Sequence, residues 1–371
     1  MKNSQEIPKT KTMGRKFNFG AGPATMPLPV LEEVQSEMLD WKGLGLSVME
    51  ISHRSDEFQE IAREAEADFR DLLNIPDTYG VLFMHGGATL HNSMVPLNLS
   101  SAKGTADYVH SGHWAARSIK EAKRYTNVNI AASSEDKKFT FFPDQDNWNL
   151  SENSNYVHIT PNETIGGLCL KELKTSSVPV VADYSSGILS EPINIDNFSM
   201  IYGGAQKNIG PAGLGFAIIK KDLLNKAQEI TPTMLNYSTM LEGESMYNTP
   251  PTFAWYVAGK VFKWLKAMGG VQSMGEVNNR KAKKLYSFID ESNFYSNNIQ
   301  EPNRSIMNIP FLLGDENLNK QFLEESKEAG LLALKGHRSV GGMRASIYNA
   351  MPEEGIDALI EFMAEFSNKK A

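Results

Sequence analysis

The apolar positions in the first two-thirds of the chain alternate between helical spacing and short continuous runs. Apolar residues from Phe58 to Leu73 recur every three or four positions, which predicts an amphipathic helix. The same spacing predicts a helix from about Thr252 to Ala267, which Gly269 and Gly270 stop. Short apolar runs predict buried strands at Val81–Met84, Val180–Ala182, Met200–Tyr202 and Phe216–Ile219. Helices that alternate with fully apolar strands are typical of an α/β sheet covered on both faces.

Three weaker patterns lie among these elements. Apolar residues follow Pro29 at helical spacing as far as Met38, and helices often begin just after a proline. Residues 48–52 have the composition of a strand, and residues 114–124 have a helical pattern. We therefore expect one more strand and two more helices in this part of the chain.

The pattern changes beyond Gly269. Met307, Ile309 and Phe311 alternate with polar or small residues, which predicts a half-exposed strand. Helical spacing returns at 318–329 and again at 356–366. We predict a polar tail at 1–16, a large domain at 17–268 and a smaller α+β domain at 269–371. The N-terminal segment of the large domain is expected to pack on the small one.

Composition narrows the possible partners and the cellular location. The 371 residues include 37 Lys and Arg against 44 Asp and Glu, so the net charge of −7 does not favour nucleic acid or an anionic membrane surface. No apolar run approaches the ~20 residues that span a bilayer, and residues 1–16 lack the apolar segment of a signal peptide. The single cysteine, Cys169, fits a reducing compartment, so we expect a cytoplasmic protein.

Several common motifs are absent. No G-x-G-x-x-G fingerprint is present, and the glycine-rich segment 210–215 is followed by Phe216 rather than by the lysine of a P-loop. A single cysteine cannot build a multi-cysteine metal site. His110 and His113 lack other metal-ligand residues at suitable spacing, so we expect no metal and assign both histidines structural or surface roles.

Asp183 and Lys207 carry the chemistry of a cofactor site. Asp183 follows a predicted strand, and ligands of α/β sheets collect at the carboxyl ends of strands. Lys207 follows Gly203 and Gly204, where desolvation would lower its pKa and make the amine nucleophilic. A carboxylate at a strand end is also the partner that a pyridinium nitrogen requires. Taken singly, a surface lysine and a helix-capping aspartate are the commoner interpretations.

A glycine turn earlier in the chain is a candidate phosphate-binding site. His85–Thr89 follows the strand Val81–Met84, and its two glycines let backbone N–H groups approach a phosphate at a helix N-terminus. Together with Asp183 and Lys207, this turn predicts a site for pyridoxal 5'-phosphate. Trp114 is a candidate for stacking on the ring, although an ordinary core tryptophan is the alternative.

Basic clusters point to an anionic substrate. His53-Arg54, His337-Arg338 and Arg344 stand out in a net-acidic chain. Arginine forks suit carboxylates and phosphates, and histidine adds a donor. The set predicts a substrate that carries both a carboxylate and a phosphate. Solvated loop charges remain the alternative for any one pair.

With these residues in place, the chain resembles the phosphoserine aminotransferases, a family of class V, fold type I pyridoxal phosphate enzymes. The most specific matching motifs are Phe17–Pro23, Gly204–Gly213, Asn248–Thr252, His337–Ser346 and Tyr348–Pro352. The resemblance implies a large, mainly parallel α/β/α sheet domain and a smaller C-terminal α+β domain.

The resemblance also implies roles around the cofactor. It places Lys207 at the aldehyde carbon, Asp183 at the pyridine nitrogen and Trp114 on the ring face. Thr164 is implied as the hydrogen-bond partner of the ring oxygen. The residues implied at the cofactor phosphate are Ala88, Thr89 and Gln206 together with Asn248 and Thr249 of the partner subunit.

For the substrate, the resemblance assigns the α-carboxylate to Arg344. The residues implied at the substrate phosphate or the glutamate side chain are His337, Arg338 and, from the partner subunit, His53 and Arg54. Shared sites imply a homodimer. Some members carry Gly-Arg where this chain has Ala88-Thr89, and His91 stands where glutamine is common. These differences leave the strength of binding of the distal phosphate open.

The implied reaction is a reversible ping-pong transamination. L-Glutamate and 3-phosphohydroxypyruvate would give 2-oxoglutarate and O-phospho-L-serine in serine biosynthesis, and 4-phosphohydroxy-L-threonine on the pyridoxine route would be a second product. Another class V aminotransferase acting on unphosphorylated amino acids is the alternative. A cysteine desulfurase would need a mobile thiol, whereas Cys169 has apolar neighbours. A binding protein that kept the fold but not the chemistry would have little use for both Lys207 and Asp183.

Overall fold

The computed structural model describes residues 14–370, so most of the predicted polar tail lies outside the described residues. The helices are α1 (Leu28–Ser36), α2 (Asp56–Leu73), α3 (Gly87–Leu99), α4 (His113–Ala122), α5 (Tyr237–Glu242), α6 (Thr252–Ala267), α7 (Gly270–Asp290), α8 (Asn319–Glu328) and α9 (Glu353–Lys370). Within residues 14–370, no helix has the length and apolar character needed to cross a membrane.

The strands range from short bridging pairs to seven residues. They are β1 (Phe17–Asn18), β2 (Tyr79–His85), β3 (Thr105–His110), β4 (Asn127–Ser133), β5 (Ser154–Ile159), β6 (Asn162–Glu163), β7 (Leu168–Cys169), β8 (Val180–Asp183), β9 (Met200–Gly204), β10 (Leu214–Lys220), β11 (Tyr295–Ser296), β12 (Asn308–Leu313), β13 (Leu331–Leu332) and β14 (Met343–Ser346). The four apolar runs that predicted buried strands all lie in this set, so those predictions are confirmed.

A seven-stranded sheet organises most of the chain, in the order β2-β10-β9-β8-β5-β3-β4. Only β10 runs against the others, because it pairs antiparallel with both β2 and β9. The remaining neighbours pair parallel, as expected for strands joined by crossover helices. The prediction of a mainly parallel α/β sheet is confirmed.

Helices cover both faces of this sheet. Along β2, Val81 and Phe83 pack towards α1, α2 and α6, while Leu82 and Met84 pack towards α3, α4 and α5. Side chains of a strand alternate between faces, so a strand buried on both sides must be apolar throughout. Fully burying one such side chain contributes ~1.5–3 kcal/mol. The α/β/α layering follows from these continuous apolar runs.

The C-terminal part of the chain has its own core. A three-stranded antiparallel sheet, β11-β12-β14, packs with α7 and α9, and the short β1 pairs parallel with β13. Helix α7 contributes Met274 to the core of the large sheet and Leu285 to this second core. Because α7 belongs to both cores, the domain boundary near Gly269 stays a prediction.

Two predictions for the N-terminal elements need correction. Helix α1 ends at Ser36, before the predicted Met38. Residues 48–52 form turns rather than a strand, so that prediction was wrong. The Glu50 amide donates to the Ser47 carbonyl at 2.9 Å, and the Glu50 carboxylate accepts from the Ser47 amide at 3.0 Å. These local hydrogen bonds satisfy backbone groups that a strand would have to pair elsewhere.

The predicted half-exposed strand also differs, because both faces of β12 are buried. It packs on β6 and on the turn that follows β6. Asn162 Nδ2 donates to Asn308 Oδ1 at 2.8 Å. A Cβ atom on Gly167 would lie 2.3 Å from Pro310 Cδ, so these segments are in direct contact. The alternation reflects a polar contact between two parts of the fold rather than exposure to water.

Candidate active site

A cavity of about 600 Å³ opens at the carboxyl-terminal edge of the central sheet. The predicted site residues that line it are Ala88, Thr89, Trp114, Thr164, Asp183, Gln206, Lys207, His337 and Arg344. The predicted residues outside its wall are His53, Arg54, Asn248, Thr249 and Arg338. The predicted residues in the wall come from the end of β8, the turns after β6 and β9, the first turns of α3 and α4, β14 and the loop that leads into it.

Lys207 lies in the turn after β9 and is 7% exposed. Its Nζ donates a hydrogen bond to Thr164 Oγ1 at 2.7 Å. Burial lowers the pKa of Lys207 to about 8; the nearby Asp183 opposes this effect and Arg344 adds to it. A buried amine with a lowered pKa is partly neutral near physiological pH and can act as a nucleophile.

Asp183 is the last residue of β8 and is also buried. Its Oδ1 accepts hydrogen bonds from the Ser185 amide at 3.0 Å and from Ser185 Oγ at 2.5 Å. Ser185 Oγ in turn accepts from the Gly204 amide at 3.2 Å. No hydrogen bond found among residues 14–370 reaches Oδ2. This oxygen is available to accept from a donor in the cavity.

The turn between β2 and α3 has the geometry of an anion cradle. Gly86, at φ +87°, is the N-cap of α3, and no side chain caps the first turn. Amides of an uncapped first turn point at the cavity together with the positive end of the helix dipole. A Cβ atom on Gly215 would lie 3.1 Å from Gly87 Cα and 3.3 Å from His91 Nε2, so β10 supports this turn closely.

Trp114 is anchored by a residue that the sequence did not single out. Glu163 is 1% exposed; its Oε2 accepts from the Trp114 amide at 3.0 Å and its Oε1 from the Ala115 amide at 2.9 Å. The carboxylate thus caps α4 from another segment of the chain. Thr164, the next residue, holds Lys207, so residues 163 and 164 connect two sides of the cavity. A capping role across such a sequence distance leaves no local signal.

Arg344 lies in β14 and reaches the cavity beside Thr164. Its Nη1 donates to the Thr164 carbonyl at 3.3 Å, and its buried Nε has no partner among the described residues. Burial lowers the pKa of Arg344, although it remains a cation at neutral pH. A carboxylate in the cavity would satisfy this unpaired donor.

The predicted residues outside the cavity wall are more accessible. Arg54, Asn248, Thr249 and Arg338 are exposed, and His53 is half-buried with an unpartnered Nε2. Residues that bind a ligand only in a partner's site would have this exposure in one chain. Their assigned roles stay predictions.

Two further basic residues do line the cavity. His113 and Arg117 project from α4 into its wall, and the structural or surface role expected for His113 stays a prediction. The ring centroid of His113 lies 5.1 Å from that of His337, far away in sequence. The only sequence feature that could have indicated His113 and Arg117 as cavity residues is that both lie close to Trp114 in the chain. His110 instead packs on Phe139, outside the wall.

The expected cofactor fits these residues. A phosphate suits the uncapped first turn of α3, a pyridine N–H suits Asp183 Oδ2, and an aldehyde suits the buried amine of Lys207. The indole Nε1 of Trp114 and Oγ1 of Thr160 are buried polar atoms without partners among the described residues, and both residues line the cavity. Such unpaired groups are rare unless a ligand or water pairs with them.

Comparisons with known proteins agree with this chemistry. The sequence model of the family Aminotransferase class-V matches residues 16–359. A phosphoserine aminotransferase of Hahella chejuensis is 56% identical over 358 residues, which are 96% of this chain and 99% of that protein.

Solved structures give the same result. A phosphoserine aminotransferase from Bacillus circulans subsp. alkalophilus has a TM-score of 0.94 at 43% identity and covers 96% of this chain and 99% of its own. A phosphoserine aminotransferase from Trichomonas vaginalis, described as bound to PLP, has a TM-score of 0.90 at 38% identity and covers 94% and 100%.

The family-model match includes every residue of the cavity wall, which spans residues 21–344. The expected fold type I architecture and the expected pyridoxal 5'-phosphate cofactor are thereby confirmed. The buried thiol expected for Cys169 is confirmed as well, because Cys169 is 8% exposed and burial raises its pKa to about 11. The chain belongs to the class-V aminotransferase family, among its phosphoserine aminotransferases, and is a pyridoxal phosphate-dependent aminotransferase.

Proposed function

We propose that the protein transfers an amino group reversibly between L-glutamate and 3-phosphohydroxypyruvate, giving 2-oxoglutarate and O-phospho-L-serine. The observation that carries this proposal is one cavity that joins the Lys207–Asp183 pair to the basic residues His337 and Arg344. The 56% identical relative is a phosphoserine aminotransferase, which supports phosphoserine as one of the substrates.

The residues of the chain divide the work of the reaction. When bound, the cofactor supplies an electron sink for the electron pair that remains when the Cα–H bond of the substrate is broken. Asp183 Oδ2 would accept from the ring N–H and keep that nitrogen protonated. The amine of Lys207, held by Thr164, would take the Cα proton and deliver it to the aldehyde-derived carbon of the cofactor within the same half-reaction, and it would move a proton the opposite way in the second half. Its pKa of about 8 suits both steps near neutral pH.

Substrate orientation belongs to the basic residues. Arg344 pairs with the α-carboxylate through its unsatisfied donors, which fixes the Cα proton relative to Lys207. His337 and Arg338, with His53 and Arg54 of the partner subunit, hold the distal phosphate or the side-chain carboxylate of glutamate. Gln206, with Ala88 and Thr89, binds the cofactor phosphate. A related phosphorylated oxo acid presents the same groups, so we also propose formation of 4-phosphohydroxy-L-threonine.

A homodimer with shared sites is part of this proposal. The exposed segment before His53 carries unpaired apolar side chains, namely Leu39, Leu44, Leu46 and Met49. Tyr247, beside Asn248 and Thr249, is 52% exposed. Apolar groups left in water next to ligand-binding residues favour burial by a second copy of the chain. A cytoplasmic location stays a prediction from cysteine usage.

Amino-donor assays test the substrate assignment. O-Phospho-L-serine, L-serine and L-alanine are compared with 2-oxoglutarate as acceptor, and Lys207→Ala serves as the inactive control. We expect a strong preference for phosphoserine. Equal rates with the three donors would refute the phosphorylated substrate and favour an aminotransferase for unphosphorylated amino acids. Borohydride trapping with peptide mapping should place the cofactor label on Lys207; a label on another lysine would refute the proposed chemistry.

A further inference from the structure

The first turn of α4 adds cations to the cavity that the proposed mechanism does not use. His113 begins α4, and Arg117 lies four residues later on the same face. Both line the cavity, and His113 meets the ring of His337 at a centroid distance of 5.1 Å. Two distant segments of the chain thus bring basic side chains to one place.

The position of Arg117 is set by its neighbour. Its guanidinium carbon lies 5.4 Å from the ring centroid of Trp114, a cation–π arrangement that orients the side chain. The backbone of Trp114 is fixed by Glu163. Although Arg117 is exposed, its charge is therefore held in the cavity wall rather than spread over many rotamers.

Carboxylates of the described residues do not neutralise this wall. Asp183 is the only acidic residue that lines the cavity within residues 14–370. In the same range, the arginines that form ion pairs are Arg70, Arg124, Arg280 and Arg304, none of which lines it. Burial lowers the pKa of His113, and the positive charges of His337, Arg117 and Arg338 lower it further. An anion placed here would relieve that repulsion.

We propose that His113 and Arg117, together with His337, form the subsite that selects a phosphorylated acceptor over an unphosphorylated one. This inference rests on the proposed function and deepens it. A phosphate presents acceptor oxygens in several directions, whereas a carboxylate presents two in a plane. Donors that converge from α4 and from the loop before β14 therefore favour the phosphate.

The test compares two acceptors on the loaded enzyme. The ratio of kcat/KM for 3-phosphohydroxypyruvate to that for hydroxypyruvate is measured for wild type, Arg117→Gln and His113→Gln. Lys120→Gln is the matched control, because Lys120 is an exposed cation of α4 outside the cavity wall. Arg117→Lys keeps the charge but loses the planar fork. Binding of inorganic phosphate, measured by calorimetry, gives a readout independent of turnover.

We expect each glutamine variant to lower the ratio about 10-fold, mainly through KM, and to weaken phosphate binding by a similar factor. Lys120→Gln should change neither quantity, and Arg117→Lys should fall between. Should wild type prefer the phosphorylated acceptor while both glutamine variants keep that preference, the subsite is wrong and the proposed function stands. A wild type without preference overturns both. Where Arg117→Gln fails to fold, His113→Gln decides, because it keeps the contact of Arg117 with the Trp114 ring.

Discussion

Burial changes the chemistry of Lys207 more than any direct contact does. An ordinary lysine is protonated at neutral pH and is a poor nucleophile. In this cavity desolvation brings its pKa to about 8, despite the opposing charge of Asp183. This lowered pKa follows from the buried position in which the turn after β9 places the side chain.

Lysine labelling checks this value. In cofactor-free protein, trace acetylation at a series of pH values, followed by peptide mass spectrometry, gives the reactivity of each lysine. We expect the reactivity of Lys207 to rise with a midpoint near pH 8, because only the neutral amine reacts. Exposed Lys221 serves as the internal reference. A midpoint above pH 10 for Lys207 would contradict the desolvated site.

Glu163 shows the opposite effect of burial on an acid. Desolvation raises its pKa to about 7, although two backbone amides stabilise the carboxylate and lower that pKa. The folded protein therefore binds more protons at this position than the unfolded chain between about pH 4.5 and 7. Stability that depends on Glu163 is greatest at low pH and falls as pH rises through this window.

Glu163→Gln removes this titration. We expect the free energy of unfolding of wild type relative to the variant to decrease as pH rises from 4.5 to 7, measured by urea denaturation. The variant should also shift Trp114 fluorescence, since the NH2 group that replaces one carboxylate oxygen cannot accept from a backbone N–H. Glu152→Gln, on an exposed turn, is the control. Parallel pH profiles for wild type and Glu163→Gln would sink this account.

Helix α7 shows how a polar residue can join two parts of a fold. Lys281 is fully buried, and its Nζ donates to the carbonyls of Ile347, Tyr348 and Met351 at 3.0–3.1 Å. These carbonyls belong to the segment that directly follows β14. Strand β14 itself carries Arg344. The contact fixes that segment on α7.

Replacing Lys281 with Met leaves three buried carbonyls without their donor. We expect a loss of about 1–3 kcal/mol in the free energy of unfolding near neutral pH. Burial lowers the pKa of Lys281 to about 7, so the unfolded chain binds more protons from about pH 7 to 10.5. Wild type should therefore gain stability over Lys281→Met as pH rises through that range. Exposed Lys283→Met is the control, and equal effects of the two substitutions would contradict the prediction.

Helices α6 and α7 together show where the hydrophobic pattern predicts a helix and where it does not. The bounds predicted for α6, Thr252–Ala267, match the structure, because an apolar face ends at two glycines. Helix α7 was missed, because Asn278 and Lys281 occupy core-facing positions and interrupt the apolar period. Hydrophobic spacing finds helices that bury hydrocarbon, but it misses those that bury hydrogen bonds.

The residues of the cavity also fall into those that the sequence predicts and those that it does not. Asp183 and Lys207 could be placed from the sequence, because strand ends and glycine turns have local signatures. The contact of His113 with His337 could not, since it depends on how the loop before β14 meets α4. Glu163 was missed for the same reason. Local patterns predict the residues that a ligand site needs, but not those that packing brings beside it.

Considered as a whole, one chain holds an incomplete set of the predicted ligand-binding residues. His53, Arg54, Asn248 and Thr249 lie outside the wall of the cavity that contains Lys207. A second copy would supply them if the sites are shared across a two-fold axis. With shared sites, two variants that are each inactive would complement each other in a heterodimer.

Subunit mixing measures this complementation. Lys207→Ala and Arg54→Ala are each expected to be nearly inactive. When they are unfolded and refolded together in equal amounts, about a quarter of the sites should hold both native residues if dimers form at random. Specific activity should recover to about that share of wild type. Recovery at the level of the separate variants would contradict shared sites, and mixing wild type with Lys207→Ala controls for refolding yield.

The close approach of Gly215 to the first turn of α3 also bears on protein engineering. Any side chain at that position would press on the glycine turn, so the turn or His91 would have to shift by a few tenths of an ångström. By contrast, the side chains of His113, Arg117 and His337 line the cavity itself. Mutant libraries aimed at new acceptors gain most when randomisation is confined to codons 113, 117, 337 and 338.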